Sequence, residues 1–195
     1  MQPNGTYPDV SVPICEKDTG SFNLYEGAWG FMPKRIGLAT LFISNLFALP
    51  LQVGDTCPDL SVPICANGSG DFELYANASG EENGGEYHAV WINIFASWWS
   101  PCQSEAPITE SIFQQYDDQG LIVIANGFDY SPDGPYSCES WASSFGITYP
   151  ILDGDADGTI WSLFGQGYIP HNVVLDHNME VIYTDAGFNQ SAVIN

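Results

Sequence analysis

Positive charge is nearly missing from this chain. Only Lys17, Lys34 and Arg35 are basic, against 24 Asp and Glu, giving a formal net charge of −21. From Leu51 to the end there is neither Lys nor Arg. Nucleic acid is therefore not expected as a partner, because neutralising phosphates takes cations. Nor can Lys or Arg ion pairs organise the domain. Carboxylate self-repulsion should weaken it at low salt, and salt or divalent cations should help. A Cys-x-x-Cys pair is missing too. The 5 cysteines, Cys15, Cys57, Cys65, Cys102 and Cys138, stand singly. Their odd number leaves at least one thiol unpaired if the others pair within the chain. Without paired Cys or His spacing, zinc is not expected.

What is present centres on Ala89 to Pro107, AVWINIFASWWSPCQSEAP. Ala89 to Phe95 is a short apolar run rich in β-branched residues, which predicts a buried strand. It leads through Ser97-Trp98-Trp99-Ser100-Pro101-Cys102 into a predicted helix over Gln103 to Gln115. A thiol at a helix start is a redox layout, because free backbone N–H groups and the helix dipole favour a thiolate there. Further apolar segments follow at Gly120 to Asn126, Thr148 to Leu152 (read as an extended edge), Asn172 to Leu175 and Val181 to Thr184. Helical patterns lie over Ser137 to Phe145 and Thr159 to Phe164, and Leu74 to Tyr87 reads as a polar loop. Alternating strands and helices imply a sheet with helices on both faces.

The central stretch resembles the active-site segment of the TlpA/ResA (redoxin) group of thioredoxin-like proteins, F-A-x-W-C-x-P-C-x-x-E-x-P. Phe95, Ala96, Trp98, Pro101, Cys102, Glu105 and Pro107 stand in the matching places. One position departs: Trp99 stands where the group has its first, nucleophilic cysteine. The resemblance implies an α/β thioredoxin-like fold, a central mixed sheet with helices on both faces and an N-terminal β-hairpin. It implies a thiol-disulfide oxidoreductase or peroxide-reducing relative, acting on a protein disulfide or peroxide. Such a protein needs no cofactor beyond its redox-active cysteine or selenocysteine.

By the same resemblance, Cys102 is the resolving cysteine, and Trp98 is the group's tryptophan beside the attacking position. With Trp99 in that position the two-thiol cycle cannot close within the motif. Two readings of Trp99 stay open. One is drift, leaving a redox-inactive module that still binds extended peptide. The other is a UGA codon, meaning selenocysteine, rendered as Trp. Ile169-Pro170-His171 falls where the group has a cis-proline against the active-site cysteine, so Pro170 is expected cis. His171 reads as a solvated loop residue or a neighbour tuning the thiol. Glu105 is expected to favour the helix dipole, and Asp129 to sit on a surface loop or to pass a proton near the site.

Asp153, Asp155 and Asp157 fit the first half of a calcium loop, D-x-D-x-D-G, with Phe164 where the bidentate Glu would stand. The alternative is a turn with a helix cap. Cys57 and Cys65 flank one predicted strand and would stand about 26 Å apart if it is straight, too far to pair. Cys65 and Cys15 hold equivalent places in a repeat and are candidates for a bridge. Cys138 is a candidate resolving thiol for Cys102.

That repeat is Pro8 to Tyr25 against Pro58 to Tyr75, identical at about 11 of 18 positions, which reads as a duplicated pair of short strands. Between the copies, Lys34-Arg35 precede an apolar run, Ile36 to Leu51, with the layout of a secretory signal. It is short for a membrane span of ~20 residues. Three readings compete: a true start at Met32 with a signal peptide, an uncleaved membrane anchor, or a buried helix. The expected organisation is 1–31 as the duplicated segment outside the mature protein, 32–52 as signal or anchor, and 53–195 as the thioredoxin-like domain. The expected location is periplasmic or secreted.

Overall fold

In the computed structural model, residues 50–187 and 189–191 are described. The first repeat copy, Cys15 and nearly all of the apolar run after Arg35 lie outside the described residues. Among those described, no helix is long and apolar enough to cross a membrane.

One seven-stranded sheet carries the domain, in the order β2-β1-β5-β4-β3-β6-β7. β1 (Ser61–Ala66) and β2 (Asp71–Glu73) form the antiparallel hairpin of the second repeat copy. The chain then turns into a short helix, α1 (Leu74–Ala78), where a strand end and a polar loop were expected. Leu74 and Ala78, four residues apart, are both fully buried, so the helical spacing is set by the core. β3 (Ala89–Ala96) lies at the centre, parallel to β4 (Leu121–Phe128) and antiparallel to β6 (His171–Leu175). β5 (Ile151–Asp153) is an interior strand between β4 and β1, not the edge expected of Thr148 to Leu152. β7 (Val181–Ala186) closes the far side.

Side chains alternate across the pleat of β3. Val90, Ile92 and Ile94 face one cluster, with Ile160 and Phe164 of α4 (Thr159–Phe164) and Leu74 of α1. Trp91 and Phe95 face the other, with Cys102, Ala106 and Ile112 of α2 (Ser100–Tyr116) and Trp141 of α3 (Cys138–Phe145). Phe95 stacks on Trp141 with ring centroids 4.4 Å apart. Helices thus cover both faces, and β3 delivers α2 at its carboxyl end.

Cys65 of β1 bonds Cys138 of α3, with Cα atoms 6.0 Å apart and a sequence separation of 73. This corrects two expectations. Cys138 is not a free resolving thiol, and Cys65 is not paired with Cys15. The sheet order explains it: β1 leaves the hairpin to pair with β5, which brings Cys65 beneath the first turn of α3. Cys57 and Cys102 are the free cysteines among the described residues, both buried.

Candidate active site

The strand–helix junction sets the site. Ser97 is fully buried and its N–H donates to the Phe128 carbonyl at 3.0 Å, pinning the end of β3 to β4. Its hydroxyl donates to the Asp129 carbonyl. Trp99 is the N-cap of α2 in extended conformation, and its carbonyl accepts from Gln103 N–H at 3.1 Å. Pro101 sits in the first turn, where its missing N–H costs nothing. Trp98 and Trp99 are 51% and 39% exposed and meet edge to face at 5.5 Å. Trp98 Nε1 donates to Asp129 Oδ2 at 2.6 Å.

Asp129 is held in turn. Its N–H and that of Tyr130 donate to the two carboxylate oxygens of Asp155, each at 2.9 Å. This accounts for the acidic turn. Asp153 Oδ1 accepts from Asp155 and Ala156 N–H, and Asp157 Oδ1 accepts from Thr159 N–H at the start of α4. Four of the six carboxylate oxygens of Asp153, Asp155 and Asp157 thus accept from backbone donors, as in the turn-and-cap alternative to a calcium loop. Among the described residues no group of three or more His, Cys, Asp or Glu is placed to hold a metal ion.

Cys102 lies in the first turn of α2 and is 3% exposed. Burial pushes its thiol up to about 12, helped by the nearby Glu105 carboxyl and only partly opposed by a hydrogen bond to the Ala96 backbone. Desolvation thus outweighs the helix N-terminus, contrary to the expected thiolate. The Ile169–Pro170 peptide is cis. Pro170 lines a cavity of about 280 Å³ together with Pro101, Ser104, Glu105 and Ile108 of α2 and Gly187 after β7.

Glu105 is the residue that sequence reasoning undervalued. It is 4% exposed, and Oε1 accepts from Asn93 Nδ2 and Asn172 Nδ2, both at 2.8 Å. Asn172 Oδ1 accepts from Trp91 Nε1 at 2.8 Å, and its amide also donates to the Gly187 carbonyl at 3.0 Å. Glu105 Oε2 has no hydrogen-bond partner. Burial raises the carboxyl to about 7, and the bond from Asn172 lowers it only in part. The signal was available: Asn93 interrupts an otherwise apolar strand. His171 also departs from expectation. It is fully buried in β6, its Nε2 lies 3.0 Å from Thr184 Oγ1, and burial lowers its pKa.

A central mixed sheet, a thiol in the first turn of the helix after its middle strand and a cis-proline opposite that helix define the thioredoxin-like class. Residues 53–184 match the AhpC/TSA family, and the chain belongs to it. It is similar to the thiol-disulfide oxidoreductase ResA of Geobacillus thermodenitrificans, 27% identical over 92 residues, which are 47% of this chain and 51% of that protein. The chain therefore spans about half the length of the curated relatives it matches. Two solved structures share the fold. One is a thiol:disulfide interchange protein of the thioredoxin family from Chlorobium tepidum, with TM-score 0.52, 21% identity, and coverage of 71% of this chain and 90% of that one. The other is StoA from Bacillus subtilis, with TM-score 0.52, 15% identity, and coverage of 67% and 88%.

Proposed function

We propose that this chain is a thiol-disulfide oxidoreductase acting on protein disulfides, with Cys102 as resolving thiol and the attacking atom at position 99. One observation supports this most. Cys102 and Glu105 lie on the first turns of α2, and Glu105 shares a cavity with the cis-proline Pro170. In the cycle, a nucleophile at position 99 attacks one substrate sulfur and expels the other as a thiolate. Cys102 then attacks the atom at position 99, releasing the second substrate thiolate and leaving a bond between positions 99 and 102. Two electrons pass to substrate. Cys102 must lose its proton for the second step, and Glu105, three residues on in α2 with a buried carboxyl near 7, is the candidate to accept it.

Trp cannot attack a disulfide, so the reading places selenocysteine at position 99, encoded by UGA. Trp99 lies at the helix N-cap, partly exposed, while every other part of the motif is kept. The resemblance and the Lys34-Arg35 layout support a setting outside the cytoplasm, with 53–195 as the working domain.

Insulin reduction by dithiothreitol tests the reading. The Trp99 form should add nothing to the uncatalysed rate and Trp99→Cys should accelerate precipitation. A folded Trp99→Cys protein without activity would leave a redox-inactive binding module. A UGG codon at position 99 would remove selenocysteine.

A further inference from the structure

Large hydrophobic side chains are exposed at seven described positions, and four of them, Trp98, Trp99, Ile108 and Tyr168, line the cavity beside Pro170 or lie within three residues of its lining in sequence. Trp98 and Trp99 touch each other at the start of α2. Ile108 lines the 280 Å³ cavity with Pro101 and Pro170, and Tyr168 stands two residues before Pro170. The cavity walls are mostly apolar, from Pro101, Ile108 and Pro170, with Ser104, Glu105 and Gly187 completing them.

Charge around this apolar rim has one sign. The exposed Asp129 carboxylate accepts from Trp98 Nε1 through Oδ2 alone, and the exposed Asp133 is on the same loop. No Lys or Arg exists from Leu51 onward to neutralise them. The exposed Trp98 indole beside the Asp129 carboxylate offers a site for a cation, since an indole face attracts ammonium or guanidinium and the carboxylate adds to it. The long stems of Lys and Arg suit apolar walls. A second copy of this chain is disfavoured by like charge, whereas a cationic partner is steered toward the surface.

We propose that this rim docks a basic, extended segment of a protein partner, with Lys or Arg stems against Pro101, Ile108 and Pro170 and their charged heads against Trp98 and Asp129. The inference names the substrate class for the site proposed above and rests on that placement. It does not depend on redox competence, because Trp98, Asp129, Pro101, Ile108 and Pro170 form the surface without the side chain at position 99.

The test is binding of fluorescently labelled, cysteine-free extended peptides to the full chain. One peptide carries lysines and arginines, and in two others these are replaced by serine or by glutamate. Without cysteine no exchange occurs, so failure here is separate from failure in insulin reduction. The basic peptide should bind about tenfold tighter than the serine peptide at low salt, and the advantage should shrink at high salt. Trp98→Ala and Asp129→Asn should each weaken it by about threefold. The paired change Asp117→Asn and Asp118→Asn, at the other end of α2, should leave affinity unchanged. Thermal melting of each variant confirms that it is folded. Equal affinity for the basic and serine peptides would overturn the proposal. So would an equal loss from the distant pair, which would mean diffuse attraction without a site.

Discussion

Asn172 Nδ2 donates to Glu105 Oε1 at 2.8 Å, joining β6 to α2 across 67 residues of sequence. The bond satisfies one carboxyl oxygen in the core and leaves the other without a partner. A buried carboxyl in that condition favours its neutral form, which is why Glu105 sits near 7.

Stability should follow from this. In unfolded chains Glu titrates near ~4.3. Between that value and about 7 the folded protein holds a proton that the unfolded chain has released. Stability therefore falls as pH rises through this window. Glu105→Gln is neutral throughout and escapes the loss. Its unfolding free energy minus that of the parent, from denaturant titrations, should increase from pH 5 to pH 8 by an amount on the order of 2 kcal/mol. A difference independent of pH would show that Glu105 titrates normally.

Cys57 and Cys102 should be inert in the folded state. Burial raises both thiols to about 12, so thiolate is scarce at neutral pH. Alkylation by iodoacetamide at pH 8 should be at least ~100-fold slower in native than in denatured protein, read by peptide mapping. Rapid native labelling of Cys102 would contradict its burial.

The bond between Cys65 and Cys138 closes a loop of 73 residues. Constraining an unfolded chain over that length stabilises by about 4 kcal/mol. Cys138→Ser should lower the denaturation midpoint accordingly, with little change in far-ultraviolet circular dichroism. Unchanged stability would mean that the bond constrains little.

Salt should raise the melting temperature. The nearest approach to an ion pair among the described residues is His177 Nδ1 with Asp176 at 3.9 Å, on the surface, so screening removes repulsion and little attraction. A fall in melting temperature with added sodium chloride would contradict this.

The centre of the fold was legible because its patterns are local. Ala89 to Phe95 is continuous and β-branched, and β3 adds one residue to it. Helix α3 begins after Ser137, whose hydroxyl accepts from Ser140 N–H at 3.1 Å, a cap that the chain advertises. What escaped reading depends on contacts distant in sequence. The helix at Leu74 is enforced by burial, and the interior place of β5 by its pairing with β1. The partner of Cys138 depends on sheet order, and the burial of Glu105 on two asparagines from separate strands. The acidic turn has the spacing of a calcium loop, but only coordinates show four of its six carboxylate oxygens accepting from backbone donors.

The most direct test of the proposed chemistry is disulfide mapping of the Trp99→Cys protein across a dithiothreitol titration. The account predicts a bond between position 99 and Cys102 that opens and closes reversibly while the bond between Cys65 and Cys138 persists. A folded variant in which Cys102 remains a free thiol under oxidising conditions would contradict it.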